Sequence, residues 1–177
     1  MGDDPATQRE ARSRYDRGQL EGLDPDVRSA GIAIVAHTGE EADYEEFFAR
    51  FTAAATPQEE QRYLRALTGF RQATLVERTL RLCVGGEVRT QDAPFLVRDL
   101  LLGVHSREQA WTFVKAHWDE MERRYPSQGG LRRLCEGITG LATPALEADV
   151  RSFFAQRTVS FGGQPLEQYL EQLHVTV

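Results

Sequence analysis

Prolines that follow a helix-capping residue constrain the fold of this chain more than any other feature of its sequence. Four such pairs occur: Asp4-Pro5, Asp24-Pro25, Thr56-Pro57 and Thr143-Pro144. Aspartate and threonine are good N-caps because their side-chain oxygens accept from unpaired backbone N–H groups, and proline is favoured at the first helical position because its missing N–H has no partner there. The sequence therefore predicts four helix starts.

Apolar residues recur with helical spacing along nearly the whole chain. Stripes such as Tyr44, Phe47, Phe48 and Phe51 follow the three-and-four pattern of one helix face, and glycines stand where the stripes end. We expect about ten helices with short connections, which makes consecutive helices antiparallel neighbours. The predicted fold is all-α, an α-solenoid of antiparallel helix pairs in the manner of HEAT or armadillo repeats, with residues 1–177 as a single helical-repeat domain.

Two further positions have the spacing of a capping box, in which an N-cap hydroxyl and a side chain three residues later each bond the other's backbone N–H. Thr56 pairs in this way with Glu59, and Ser106 with Gln109. Both pairs are predicted to begin a helix.

The two tryptophans of the chain lie seven residues apart, on a helix face with Val114, Met121 and Tyr125. Large aromatic side chains at this spacing are typical of a face packed against other helices. We therefore predict that the helix carrying Trp111 and Trp118 is a centre of the core.

Charge and apolar content exclude several classes of function. A net charge of −6 argues against a nucleic-acid surface, which needs a concentrated basic patch. The longest apolar run, residues 32–36, is too short to span a membrane, and the residues after Met1 do not resemble a secretory signal. We expect a cytoplasmic protein without nucleic-acid or membrane partners. For Cys83 and Cys135, buried free thiols are the favoured reading, with a disulfide or metal role as alternatives.

The sequence contains no recognisable motif of catalytic or metal-binding residues. The four histidines, His37, His105, His117 and His174, stand apart, and no HExxH, GxSxG, Walker or GxGxxG motif occurs in a suitable context. We therefore predict no catalytic, cofactor-binding or metal-binding residue on this chain, and a packing role for His117.

Two stretches carry a resemblance to a known family. Residues 87–92, Glu-Val-Arg-Thr-Gln-Asp, and residues 110–118, Ala-Trp-Thr-Phe-Val-Lys-Ala-His-Trp, resemble the EVRxQD and AWxFxKxNW stretches of the C-terminal helical domain of zinc aminopeptidases. That family includes aminopeptidase N, the puromycin-sensitive aminopeptidase and the endoplasmic-reticulum peptide-trimming enzymes. His117 replaces the family's asparagine. Weaker similarities lie at residues 64–67, 131–134 and 150–154, so that the resemblance runs from about Pro25 to the end.

The resemblance implies a non-catalytic role within a larger zinc aminopeptidase. The zinc, its ligands and the glutamate base would lie in a separate thermolysin-like domain, so this chain alone is expected to lack enzymatic activity and a cofactor. A domain of this kind would pack on the catalytic domain of the same polypeptide, enclose the substrate chamber and contact the C-terminal portion of a peptide substrate. The alternative is a stand-alone helical-repeat scaffold that binds a partner protein.

Arg89, Gln91 and Asp92 are the candidate contacts with the chamber or the catalytic domain. They lie in the stretch of residues 87–92 and precede a helix marked by Pro94. A local explanation is also open, in which Asp92 caps that helix and Arg89 pairs with a neighbouring side chain.

Overall fold

The computed structural model describes residues 4–125, 128–159, 161 and 163–177, and its secondary structure over these residues is helical. The α-helices are α1 (Pro5–Asp16), α2 (Pro25–Thr38), α3 (Glu41–Thr52), α4 (Pro57–Ala66), α5 (Ala73–Gly85), α6 (Ala93–Leu102), α7 (Arg107–Arg124), α8 (Gln128–Glu136), α9 (Pro144–Ala155) and α10 (Gly163–Thr176). Two 3₁₀ turns, Leu67–Gly69 and Gly137–Gly140, follow α4 and α8. The predicted all-α class is confirmed.

The four proline-marked helix starts are confirmed in the structure. Asp4 accepts from the Thr7 N–H at 2.9 Å, and Asp24 accepts from the Asp26 N–H at 2.9 Å. The two threonine caps behave in the same way, with Thr56 Oγ1 3.2 Å from the Glu59 nitrogen and Thr143 Oγ1 3.3 Å from the Leu146 nitrogen. Each cap satisfies a backbone N–H that the helix itself leaves unpaired.

The two predicted capping boxes turn out differently. Glu59 completes the first one in modified form, because its Oε2 accepts from the N–H of Ala55, one residue before the cap, at 3.2 Å. At Ser106 the predicted helix start is confirmed, since α7 begins at Arg107, but the predicted capping box is wrong. The Ser106 side chain makes no cap hydrogen bond, and its hydroxyl donates to the carbonyl of Leu100 at 2.7 Å. Ser106 is buried near the end of α6, where an unpaired helix carbonyl competes successfully for the hydroxyl.

The chain separates into two compact units, Met1–Leu75 and Val76–Val177, with the boundary inside α5. Each unit has its own core and is described by itself. The expectations of one domain over residues 1–177 and of a solenoid arrangement stay predictions.

Aromatic residues fill the core of the first unit, where α1 packs on α2 and α3 packs on α4. The ring of Phe47 meets those of Tyr63 and Phe70 edge to face, with centroids 5.4 and 5.7 Å apart. An ion pair at the edge of this core connects α1 to α3. The Arg12 guanidinium on α1 donates two hydrogen bonds, of 2.7 and 3.0 Å, to the Asp43 carboxylate on α3.

The core of the second unit is built around the tryptophan face of α7, as predicted. Trp111 and Trp118 are 1% and 3% exposed and both contact the aromatic pair Phe153 and Phe154 on α9. The Trp111 and Phe153 centroids are 5.2 Å apart, and those of Trp118 and Phe154 are 5.4 Å apart. Such edge-on aromatic contacts add to the stabilisation that burial alone provides.

Glycines allow a close backbone approach elsewhere in the second unit. A Cβ at Gly140 would lie 2.5 Å from the carbonyl oxygen of Leu101, and one at Gly137 would lie 2.9 Å from the Cα of Arg98. The 3₁₀ turn therefore packs against the backbone of α6, and a larger side chain at either position would force the two segments apart.

The two cysteines are buried free thiols in the second unit. Burial raises the pKa of the Cys83 thiol to about 12 and also raises that of Cys135. Both sulfurs therefore behave as apolar packing groups, in agreement with the favoured reading of the sequence.

Candidate functional site

The stretch of residues 86–92 forms a tight turn between α5 and α6. Gly86 opens it with a φ of +110°, a conformation that L side chains rarely adopt. Val88 is fully buried and anchors the turn, and the carbonyl of Arg89 accepts from the N–H groups of Asp92 and Ala93 at 2.9 and 3.0 Å. A buried anchor and two backbone hydrogen bonds hold this segment in one shape.

The structure brings the three candidate contact residues together on this one turn. Arg89 and Gln91 are exposed, whereas Asp92 is partly buried. The side chains of Arg89 and Gln91 thus extend from a fixed backbone. Such an arrangement can donate hydrogen bonds to a neighbouring protein surface or peptide at a small entropic cost.

Asp92 does not act as the helix cap that the local explanation requires. It occupies the position before α6, but its backbone is in the helical region and its side chain accepts no cap hydrogen bond. Its Oδ2 atom is buried without a hydrogen-bond partner among the described residues. An unpaired buried carboxylate oxygen is costly, and none of the described residues donates to this one.

In the tryptophan helix, the polar residues of the second motif stabilise the contact with α9. The indole N–H of Trp111 donates to Asp149 Oδ2 at 2.8 Å, and the ammonium group of Lys115 donates to the same oxygen at 2.5 Å. The Lys115 hydrogen bond, followed by that of Trp111, lowers the pKa of Asp149 below its ordinary value. Sequence reasoning missed Asp149, because its partners lie more than 30 positions away and no local pattern marks them.

His117 lies at a kink within α7. Its backbone is non-helical, with φ −115° and ψ 16°, and its ring stacks on Phe113 with centroids 3.9 Å apart. The Nδ1 atom lies 3.0 Å from the Phe113 carbonyl, and since a carbonyl only accepts, Nδ1 carries the proton. These contacts support the predicted packing role for this histidine.

The described residues do not offer a site for zinc. No group of three or more histidine, cysteine, aspartate or glutamate side chains lies close enough in this part of the chain to hold a metal ion. The donor set of a structural or catalytic zinc therefore does not fit here. In the same residues, no helix combines the length and the apolar character needed to cross a bilayer.

Comparison with known proteins supplies the family. The sequence model of the family described as the ERAP1-like C-terminal domain matches residues 1–175, so the similarity includes the first helix. The chain is 30% identical to a leucyl aminopeptidase of Saccharolobus solfataricus over 155 residues, which are 83% of this chain and 20% of that protein. It is 28% identical to aminopeptidase M1-B of Oryza sativa subsp. japonica over 158 residues, 87% of this chain and 18% of that protein.

A yeast relative shows the same pattern of coverage. The alanine/arginine aminopeptidase of Saccharomyces cerevisiae is 26% identical over 163 residues, which are 90% of this chain and 19% of the relative. The chain thus spans about a fifth of the length of the curated relatives it matches.

Proposed function

This chain belongs to the family of ERAP1-like C-terminal domains, and we propose that it serves as the non-catalytic C-terminal helical domain of a zinc metallo-aminopeptidase. In this role it packs on the catalytic domain of the same polypeptide, helps to enclose the substrate chamber and contacts the C-terminal portion of a peptide. The observation that carries the proposal is the family match over residues 1–175. The zinc belongs to the catalytic domain, and the cytoplasmic location stays a prediction.

The turn of residues 86–92 is the contact that we assign to this role. Arg89 and Gln91 are exposed on a backbone fixed by Val88, and the buried Oδ2 of Asp92 lacks a partner among the described residues. At these exposed positions, Arg89 and Gln91 would donate hydrogen bonds to the catalytic domain or to the peptide.

The experiment joins this chain to the rest of its polypeptide. The full-length protein is assayed on long peptides and on single-residue chromogenic substrates, first unchanged and then with Arg89→Ala, Asp92→Asn or, as a control in the same turn, Thr90→Ala. We expect Arg89→Ala and Asp92→Asn to lower kcat/KM on long peptides more than on the chromogenic substrates, with little effect of Thr90→Ala.

Two results would contradict the proposal. If the coding sequence upstream of this chain lacks HExxH and a following glutamate ligand, the alternative of a stand-alone scaffold that binds a partner protein takes its place. Equal losses on long and short substrates would remove the turn from the substrate chamber and leave it a purely structural role.

A further inference from the structure

The end of helix α7 contacts the end of helix α5, next to the turn of residues 86–92. The Tyr125 hydroxyl donates to the carbonyl of Cys83 at 2.7 Å, across 42 positions of sequence. Cys83 lies in the last turn of α5, and the final four carbonyls of a helix have no partner within it. The phenol therefore supplies a hydrogen bond that stabilises the end of α5, three residues before Gly86.

The Tyr125 side chain is held in one position by the end of α7. Tyr125 is 1% exposed, and its backbone N–H donates to the carbonyl of Met121 at 2.8 Å, at the C-terminal cap of the helix. Burial raises the pKa of Tyr125 above its ordinary value, so the hydroxyl keeps its proton and stays a donor. Because protein interiors are close-packed, a buried ring on an anchored backbone keeps the hydroxyl at the Cys83 carbonyl.

The residue before Tyr125 lies beside the turn itself. Gly86, the first residue of the turn, has a φ of +110°, and a Cβ there would lie 3.6 Å from Nη2 of Arg124. The guanidinium of Arg124 thus lies next to Gly86. Two consecutive residues at the end of α7 therefore meet the end of α5 and the first residue of the turn.

The other end of the turn is joined to α6 by its own hydrogen bonds. The Arg89 carbonyl accepts from the N–H groups of Asp92 and Ala93 at 2.9 and 3.0 Å. These bonds fix the residues that follow Arg89, but they do not fix the direction in which the turn leaves α5. Glycine has the widest choice of backbone conformation of any residue, so this direction depends on what contacts the chain at Cys83 and Gly86.

We propose that Tyr125 is a positioning residue for the turn of residues 86–92, which it holds in the shape that lets Arg89 and Gln91 reach the catalytic domain or the peptide. This inference rests on the proposed function, because it concerns the orientation of the same contact. Since Tyr125 is buried, it acts through the Cys83 carbonyl and not by touching a partner. A turn held in one orientation loses less entropy when it binds.

Amide hydrogen exchange of the chain tests the positioning directly. Tyr125→Phe removes the hydroxyl and keeps the ring. We expect the amides of Val84 and Gly85, in the last turn of α5, to exchange about tenfold faster, because a buried carbonyl that loses its donor lets the helix end open more often. The amides of Asp92 and Ala93 should change little, since their own hydrogen bonds remain.

Tyr169→Phe on α10 is the matched control, because it removes a tyrosine hydroxyl that accepts from Arg132 on α8 at 3.4 Å. It should leave the amides at both ends of the turn unchanged. If thermal unfolding shows that Tyr125→Phe is not folded, Arg124→Gln replaces it and should give the same pattern, since Arg124 lies beside Gly86. Unchanged exchange at the end of α5, or equal acceleration at both ends of the turn, would overturn the proposal.

Peptide kinetics of the full-length protein test the functional step. We expect Tyr125→Phe to raise KM for long peptides about threefold or more, because a turn with several orientations is less often in the one that binds. Its kcat on these peptides and both constants on single-residue chromogenic substrates should stay unchanged, as should all constants of Tyr169→Phe. Faster exchange with an unchanged KM would overturn the proposal if Arg89→Ala is still selective for long peptides. Equal losses in Arg89→Ala on both substrates would show instead that the proposed function has failed, and this inference with it.

Discussion

Trp111 and Asp149 are joined by a 2.8 Å hydrogen bond from the indole N–H to a carboxylate oxygen that also accepts from Lys115. This contact fixes the tryptophan helix α7 to α9 at the polar edge of an aromatic core. The second family-like stretch thus has a structural task here, because its tryptophans, its lysine and its histidine all make contacts inside the second unit. The first stretch places Arg89 and Gln91 at exposed positions of one turn, which is why we assign the function to it.

Trp118 should be a centre of stability. Trp118→Ala removes a side chain that is 3% exposed and contacts Phe153 and Phe154, and we expect it to lower the free energy of unfolding by about 3–5 kcal/mol. His37→Ala on α2 should cost much less. Denaturant midpoints and slopes of the two variants measure the difference, and equal small changes would show that the aromatic contacts of Trp118 contribute little to stability.

The Asp149 contact should make stability depend on pH. Because the folded-state pKa of Asp149 is lowered, its stabilisation is present above the unfolded-state value near 3.8 and is lost as the pH falls through the lower folded-state pKa. Asp149→Asn lacks this component. We expect its deficit, about 0.5–1 kcal/mol for a partly exposed ion pair, to be largest near neutral pH and to close in acid.

Urea unfolding of wild type and Asp149→Asn between pH 7 and pH 2.5 provides the measurement for that pair. Glu167→Gln, an exposed acidic position on α10, is the control and should follow the wild-type profile. A constant difference between wild type and Asp149→Asn across this pH range would show that the ion pair does not contribute.

Replacing two of the glycines by alanine should change the stability of the protein in opposite directions. Gly140→Ala places a Cβ against the Leu101 carbonyl oxygen and should destabilise the protein by about 1–3 kcal/mol. Gly129→Ala on α8 meets no atom within 4 Å and should stabilise by about 0.5–1 kcal/mol, because alanine is the better helix former. Thermal unfolding of both variants tests the close approach, and a Gly140→Ala protein as stable as wild type would contradict it.

The Ser106 hydroxyl should stabilise the fold through its hydrogen bond to the end of α6 and not by capping the start of α7. Ser106→Ala leaves the Leu100 carbonyl without its 2.7 Å hydroxyl donor in a buried place, and we expect a loss of about 1–2 kcal/mol. Ser152→Ala, at an exposed position on α9, should change stability by only a few tenths of a kcal/mol. Similar losses in the two variants would mean that the hydroxyl contact is energetically unimportant.

The isolated chain should not hydrolyse aminoacyl substrates or retain zinc after dialysis against a chelator. The described residues lack a cluster able to hold the metal, and the sequence has no HExxH motif. Metal analysis and turnover of a chromogenic aminoacyl substrate check this expectation. Activity that survives purification and disappears with His117→Ala would contradict it.

Local features of the fold could be predicted from the sequence, whereas contacts between distant residues could not. The four proline-marked caps depend on neighbouring residues and came out as expected. Ser106 has the same local signature, but its hydroxyl bonds a carbonyl six positions back, where the end of α6 leaves an acceptor unpaired. The unpaired oxygen of Asp92 likewise depends on tertiary burial.

The candidate sites divide in the same way. The turn of residues 86–92 could be located through a motif, since its residues are consecutive. The hydrogen bond from Arg62 to Ser29 could not be predicted, because it joins residues 33 positions apart. No periodicity in the sequence distinguishes such a pair from two residues on separate solvated faces.

Cys83 and Cys135 are the two cysteines of the chain, and both lie fully buried in the second unit. The reactivity of their thiols therefore measures how often that unit opens. A thiol-reactive dye can modify either sulfur only after the surrounding helices open. The rate of labelling under native conditions therefore reports the opening of residues 76–177. Residues 1–75 contain no cysteine and do not contribute to this rate. Compared with the loss of total helix signal, it distinguishes two units that unfold separately from a chain that unfolds as one.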